Sequence, residues 1–292
     1  MPQVKKNNIY RRSSASKKGS KSGGSFSNKK RRKFPWWSFL LGMVLFLSSF
    51  CFIFFYYFVN PLSFTLKSSV NKVYFPPGYT IRGIDISHYQ GVVDWELLRN
   101  ASMDSDPVSF VIVKATEGET IIDECFNDNF YQARKNGVVR GAYHFLVPNV
   151  SAKKQAIFFL RQAHLEEGDL PPVLDVEDET RWLAAGKDKR QIQKMALEWL
   201  DIVEKHYQVT PIIYSSYKFR QDVLSDKKFD RYPFWMAHYF VDTTAKDVQW
   251  SFWQHTDQGK ISGIVGYVDC NVFGGTLEEF NSLLIPPLSV AD

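Results

Sequence analysis

Cysteine is scarce in this chain: Cys51, Cys125 and Cys270 are the three among 292 residues. Three is too few for a disulfide framework, and their spacing fits no zinc pattern. Cys51 lies in an apolar run, which leaves Cys125 and Cys270 as the only possible pair in the body. Many exported domains of this size need no such bridge. None of the six histidines stands in a metal-binding spacing such as HExxH, so neither a metal nor a cofactor is expected. Charge is missing in two revealing places. Residues 1–33 contain twelve Lys and Arg but no acid, and Phe34 to Leu66 contain no charge of either sign. The net charge of +5 therefore describes no part of the protein, because beyond the tail 24 basic residues meet 31 acidic ones. A basic tail on an acidic body argues against a nucleic-acid-binding role, despite the run Lys29–Lys33.

What stands in place of charge is a long hydrophobic run. Trp36 to Val59 is nearly all apolar, and its 24 residues would span about 36 Å as a helix, against a bilayer core of about 30 Å. Trp36 and Trp37 at one end and Tyr56 and Tyr57 at the other fit interfacial aromatic belts. The run exceeds a signal peptide's usual apolar stretch, and no small-x-small cleavage site follows it. Phe50 is too bulky to precede a lipid-modified cysteine at Cys51. The expected organisation is a disordered basic tail (1–33), an uncleaved transmembrane anchor (34–59), a Pro- and Gly-bearing stalk (60–79) and a catalytic body (80–292). The basic flank places the N-terminus in the cytoplasm and the body in the periplasm or outside the cell.

The body alternates strand-like and helix-like segments. Eight short strands are expected at Arg82–Ile86, Phe110–Ala115, Val139–Phe145, Val173–Val176, Pro211–Tyr214, Phe234–Ala237, Trp250–Gln254 and Tyr267–Val272. Ile192, Met195, Ala196, Trp199, Leu200 and Val203 repeat at helical spacing. Ser151 reads as the N-cap of another helix with Ala156, Ile157, Leu160 and Ala163 inward. Helical links dwindle after the fifth strand. The expected fold is α/β, an irregular parallel β/α barrel whose last third is mostly strand.

Acids fall at three of these strands. Asp85 ends the first, Asp175 and Glu177 end the fourth, and Asp269 lies in the eighth. Asp175 and Glu177 are two apart and so share a face, their Cα atoms roughly 6.6 Å apart. Closing an eight-stranded barrel brings strand eight beside strand one, with strand four across the mouth. Four crowded carboxyls raise one another's pKa, so at least one stays protonated near neutral pH. A protonated acid beside an ionised one is what glycoside hydrolysis needs.

These residues also resemble a known family, the glycoside hydrolase family 25 muramidases or Chalaropsis-type lysozymes. The likeness runs through GIDISHYQGVVDW (Gly83–Trp95), FVIVKATEG (Phe110–Gly118), GAYHF (Gly141–Phe145), LPPVLDVE (Leu170–Glu177), PIIYSS (Pro211–Ser216), WQH (Trp253–His255) and GYVDCNVF (Gly266–Phe273). It implies a TIM-like barrel of five β/α units and three further strands. It implies cleavage of the β-1,4 bond between N-acetylmuramic acid and N-acetylglucosamine in peptidoglycan. Glu177 would be the acid, Asp175 would assist the substrate's N-acetyl group or position a water, and Asp85 and Asp269 would tune the pair. The N-terminal anchor departs from relatives that carry a cleaved signal or wall-binding repeats, and suits wall remodelling better than lysis of other cells.

Tyr143, Tyr214, Trp235, Tyr239 and Trp253 lie near strand ends, where rings could stack on sugars. His144 and His255, beside motif residues, read as hydrogen-bonded supports. The body is expected to act as a monomer. Two rival readings are a catalytically inactive peptidoglycan-binding membrane protein and a chitinase-like glycosidase. The first would have lost an acid, and the second would show a longer acidic run, DxxDxDxE, than Leu170–Glu177 carries.

Overall fold

The computed structural model describes residues 36–54, 74–177, 179–239, 241 and 247–287. The expected tail (1–33), most of the stalk (60–73) and the end of the anchor (55–59) lie outside the described residues. The chain divides into two compact units, 1–61 and 62–292. In the first, the apolar run forms the helix Trp36–Phe54, with no acid in its first turn and no base in its last. Its 19 residues cover about 28 Å. Among the described residues no helix is by itself long and apolar enough to cross a membrane. Trp36, Phe46 and Phe52 are exposed along it.

The second unit is a closed barrel. Ten strands run β1 Arg82–Ile86, β2 Ser102–Met103, β3 Asp106–Glu117, β4 Ile121–Ile122, β5 Val139–Phe145, β6 Val173–Asp175, β7 Ile212–Ser216, β8 Phe234–Ala237, β9 Phe252–Gly259 and β10 Val268–Phe273. Eight of them close the ring in the order β1-β3-β5-β6-β7-β8-β9-β10, with β10 returning to β1. All eight expected strands are present; β2 and β4 are small antiparallel additions to β3. β1, β3, β5, β6 and β7 are each followed by helix, and among the described residues the last three strands have none between them. The expectation of an irregular parallel barrel with a mostly strand last third needs one correction. β10 runs antiparallel to both β9 and β1, because the connection from Gly259 to Val268 is too short for a crossover.

Alternation along each strand sorts the body into two layers. Ile84, Val111, Val113, Leu174, Ile213, Met236 and Val272 face outward and pack under the helices. Phe110, Ile112, Val173, Ile212, Phe252 and Phe273 face inward and fill the barrel's lower half. Phe280, on the C-terminal helix Leu277–Leu283, plugs the floor against Phe110 and Phe273, with ring centroids 5.7 and 5.3 Å away. Gly83 is dictated by this filling, since a Cβ there would meet the Phe110 ring at 2.4 Å.

The helix Lys189–Tyr207 buries the expected stripe, Ile192, Ala196, Trp199, Leu200 and Val203, with Met195 half-buried. Asp188 caps it in a reciprocal box with Gln191. The helix Ala152–Gln162 departs from expectation. Ser151 occupies the N-cap position but makes no side-chain cap bond, and the buried face is Ala152, Gln155, Ala156 and Phe159. Ile157 and Leu160 are only half-buried. Polar Gln155 turns inward because it ties down the preceding loop, donating to the Val147 and Val150 carbonyls and accepting from Val147 N–H. Cys125 and Cys270 are both free thiols.

Candidate active site

The barrel's upper half is polar, and its mouth opens into a cavity of about 580 Å³. Asp85, Asp175, Glu177 and Asp269 all line it, as do Tyr143, Tyr214, Trp235 and Tyr239. The structure thus brings together eight of the nine residues singled out from the sequence. Asp269 reaches the mouth for a reason that spacing alone hides. It is the second residue of an antiparallel strand, so the N-terminal end of β10 lies beside the C-terminal end of β1, with Asp269 directly opposite Asp85.

Trp253 is the exception. In β9, Phe252 and Gln254 face inward, so Trp253 between them faces outward. It is 1% exposed in the outer core, and its indole N–H donates to the His238 carbonyl at 2.8 Å. The histidines split likewise. His144 is hydrogen-bonded as expected, to Thr116 Oγ1 at 2.7 Å and Gln155 Oε1 at 3.2 Å, but under the helices rather than at the mouth. His255 is buried with neither ring nitrogen hydrogen-bonded among the described residues, packed on Phe75 and Trp253. Burial pushes both imidazoles down to about 3, so both are neutral.

Asp85 is the best-held of the four acids. Its Oδ2 accepts from Gln254 Nε2 and from Asn271 Nδ2, each at 2.7 Å. Both amides are themselves aimed. Trp235 Nε1–H donates to Asn271 Oδ1 at 2.7 Å. The Tyr214 and Tyr239 hydroxyls donate to Gln254 Oε1 at 2.7 and 2.5 Å. Each amide oxygen is thus engaged by an aromatic donor, leaving the NH₂ groups turned to the carboxylate. Three of the rings expected to stack on sugar use their polar tips to fix Asp85. Trp235 and Tyr214 are buried, whereas Tyr143 and Tyr239 offer more open faces.

Electrostatics divides the acids. Burial raises Asp85 to about 6, although the amides and Asp269 hold it down. Burial and the neighbouring Asp85 raise Asp269 to about 9. At neutral pH the proton of this pair therefore sits on Asp269, which donates to ionised Asp85. Burial, then the charge of Glu177, lifts Asp175 well above the ordinary carboxylate range. Its Oδ1 is buried without a hydrogen-bond partner among the described residues.

Other groups on the cavity were not singled out from the sequence. Glu117 Oε2 accepts from Lys114 Nζ at 2.8 Å, and Glu117 Oε1 accepts from two Arg181 N–H groups at 3.0 Å each. Burial pushes Glu117 up, but these two cations outweigh it and hold the carboxyl below its usual value. Tyr89, 83% exposed, stands at the rim on a one-turn helix whose Ser87–Gln90 capping box fixes it. Gln254 and Asn271 carried a signal that could have been read, since each occupies the inward parity of its strand.

Coupled carboxyls, one kept protonated beside an ionised partner, in a cleft walled by aromatic rings fit glycoside hydrolysis. The comparisons with known proteins agree. The family model for glycosyl hydrolases family 25 matches residues 84–264, and the chain belongs to that family. Among relatives, the uncharacterized protein YegX of Escherichia coli is 41% identical over 72% of this chain and 75% of its own. Lysozyme M1 of Streptomyces globisporus is 30% identical, over 70% of this chain and 71% of its own. A solved family 25 glycosyl hydrolase from Bacillus anthracis superposes with a TM-score of 0.64 at 29% identity, covering 72% of this chain and 95% of that one. The resemblance drawn from the motifs is therefore borne out.

Proposed function

We propose that this protein is a membrane-anchored N-acetylmuramidase that cleaves the β-1,4 bond between N-acetylmuramic acid and N-acetylglucosamine and remodels the cell wall. The observation that carries the reading is the placing of Asp175 and Glu177 on one lip of the cavity, facing Asp85 and Asp269 on the other. Glu177 donates a proton to the leaving oxygen. Asp175 cannot reach the opposite side of the bond from the same strand end, as the usual two-carboxylate mechanisms require. The substrate's acetamido oxygen fills that place as nucleophile, and Asp175 steadies the charge that forms. Asp175 must be ionised for this, yet its burial and the charge of Glu177 favour the proton. An acetamido N–H donated to Asp175 favours the ionised form and leaves the pair's proton with Glu177.

Relatives with names such as lysozyme and N,O-diacetylmuramidase support the substrate. The retention of all four acids speaks against an inactive binding protein. The anchor rests on the exposed apolar helix Trp36–Phe54 and on the apolar residues that follow it. The basic flank puts the N-terminus in the cytoplasm. Incubation of the purified chain with peptidoglycan is the test. New muramic acid reducing ends, released first as the β-anomer, are expected, together with resistance of N-deacetylated glycan. Glucosamine ends would overturn the bond assignment, and a first-formed α-anomer would make Asp175 a base acting on water.

A further inference from the structure

Glu177 lies beyond the strand that presents it. β6 ends at Asp175, whose carbonyl still accepts from the Leu146 N–H at 2.9 Å, and the Val176 N–H still reaches the Tyr214 carbonyl at 3.1 Å. After that, side chains take over from strand neighbours. The Ser215 hydroxyl donates to the Val176 carbonyl at 2.7 Å, and the Trp182 indole N–H donates to the Glu177 carbonyl at 2.7 Å. Ser215 is fully buried, and Trp182 is 1% exposed. Neither lines the cavity. Trp182 sits on the helix Glu179–Ala184, and its neighbour Arg181 holds that helix to Glu117 across the mouth.

We propose that Trp182 and Ser215 are positioning residues for the general acid, two side-chain donors that extend the β6 ladder past its end and fix the backbone of Glu177. The inference rests on the reading of Glu177 as acid. The physical need is plain. A strand residue is held by neighbours on both sides, whereas a loop residue drifts, and a misplacement of about 1 Å can cost about a hundredfold in rate. Two buried hydrogen bonds on successive carbonyls remove that freedom without placing any new group in the cleft.

The test separates holding the acid from holding the fold. Protonation matters when the leaving group is a poor one, as the sugar oxygen of glycan is, and matters little for an aryl glycoside whose phenolate departs unprotonated. Full-length Trp182→Phe, Ser215→Ala and Glu177→Gln proteins would be assayed on both substrates, with thermal unfolding followed in parallel. On glycan, kcat of Trp182→Phe and Ser215→Ala is expected to fall by about tenfold or more with KM little changed. On the aryl glycoside the loss is expected to stay within about threefold, with Glu177→Gln showing the same selectivity more strongly. Equal losses on both substrates, or none, in folded Trp182→Phe and Ser215→Ala would overturn the proposal while leaving Glu177 as acid. Equal losses in Glu177→Gln would instead overturn the acid assignment, and the proposal with it. Should Trp182→Phe fail to fold, Ser215→Ala, which loses one oxygen, decides alone by the same two outcomes.

Discussion

Asp85 and Asp269 face each other on paired strands with one proton between them at neutral pH, and that proton is a stability statement as well as a catalytic one. Both carboxyls hold protons in the folded protein that the unfolded chain releases near pH 4. Their contribution to stability is therefore full below about pH 4, falls most steeply as pH rises to about 6, and goes on falling more gently to about 9. Asp269→Asn keeps an amide donor for Asp85 and removes the second carboxyl. Each tenfold change in proton affinity is worth about 1.4 kcal/mol, or about 3–6 °C in a domain of roughly 200 residues. The variant should thus melt at least about 3 °C higher at pH 8 and show a flatter dependence on pH. A Tm at pH 8 equal to or below that of the wild type would count against the shared proton. Glu177→Gln keeps the shape of the acid but has no proton to give, so turnover on glycan should fall by at least about a hundredfold. Glycan binding, followed by pull-down with insoluble peptidoglycan, should survive. Near-normal turnover would remove Glu177 from the role.

Among the elements, the strands were the most legible part of the fold, and the reason is parity. Each strand alternates one side chain toward the barrel axis and one toward the helices, so the positions of Asp85, Asp175 and Tyr214 are legible from sequence. Trp253 lies near a strand end as expected, but its parity, one residue from Gln254, turns it outward into the core. The direction of β10 was not legible, since a strand's pattern is the same read up or down. Nor were Ser215 and Trp182, whose contacts depend on where a short helix returns after the acid. The inner face of Ala152–Gln162 was legible only in part: Ala156 and Ala163 are buried as expected, whereas Ile157 and Leu160 are half-buried because a buried glutamine with four hydrogen bonds fixes the helix's rotation. β1 offers a sharp test of the packing logic. Gly83 lies against Phe110, whose ring is locked between Phe252 and Phe280 and cannot withdraw. Gly83→Ala should cost about 1–3 kcal/mol of overpacking, lowering Tm by about 2–12 °C, and should depress kcat by shifting Asp85 two residues on. An unchanged melting curve would mean that the floor of the barrel is softer than its ring contacts indicate.

At the scale of the whole molecule, the barrel has a closed floor and an open mouth, and the two ends have different neighbours along the chain. On the anchored reading, protease added to spheroplasts should degrade the barrel and spare an N-terminal fragment carrying residues 1–33, detected by an antibody to the tail. A protected barrel would reverse the topology and remove access to the wall. The chain reaches the barrel along one side. Phe75 packs on His255 beneath the Arg82 guanidinium, and Tyr79 packs on Trp250 and Trp253. Arg82 then opens β1 at the floor, pinned to Asp106 by a bond of 2.8 Å. On the anchored reading, a pull on the chain before Phe75 would be taken up by this aromatic and ionic clasp, at the end of the barrel away from the carboxyls. A tethered enzyme working in a stiff, moving polymer is tugged continually. Here the strain would be grounded before it reached the strand ends on which the carboxyls are aligned.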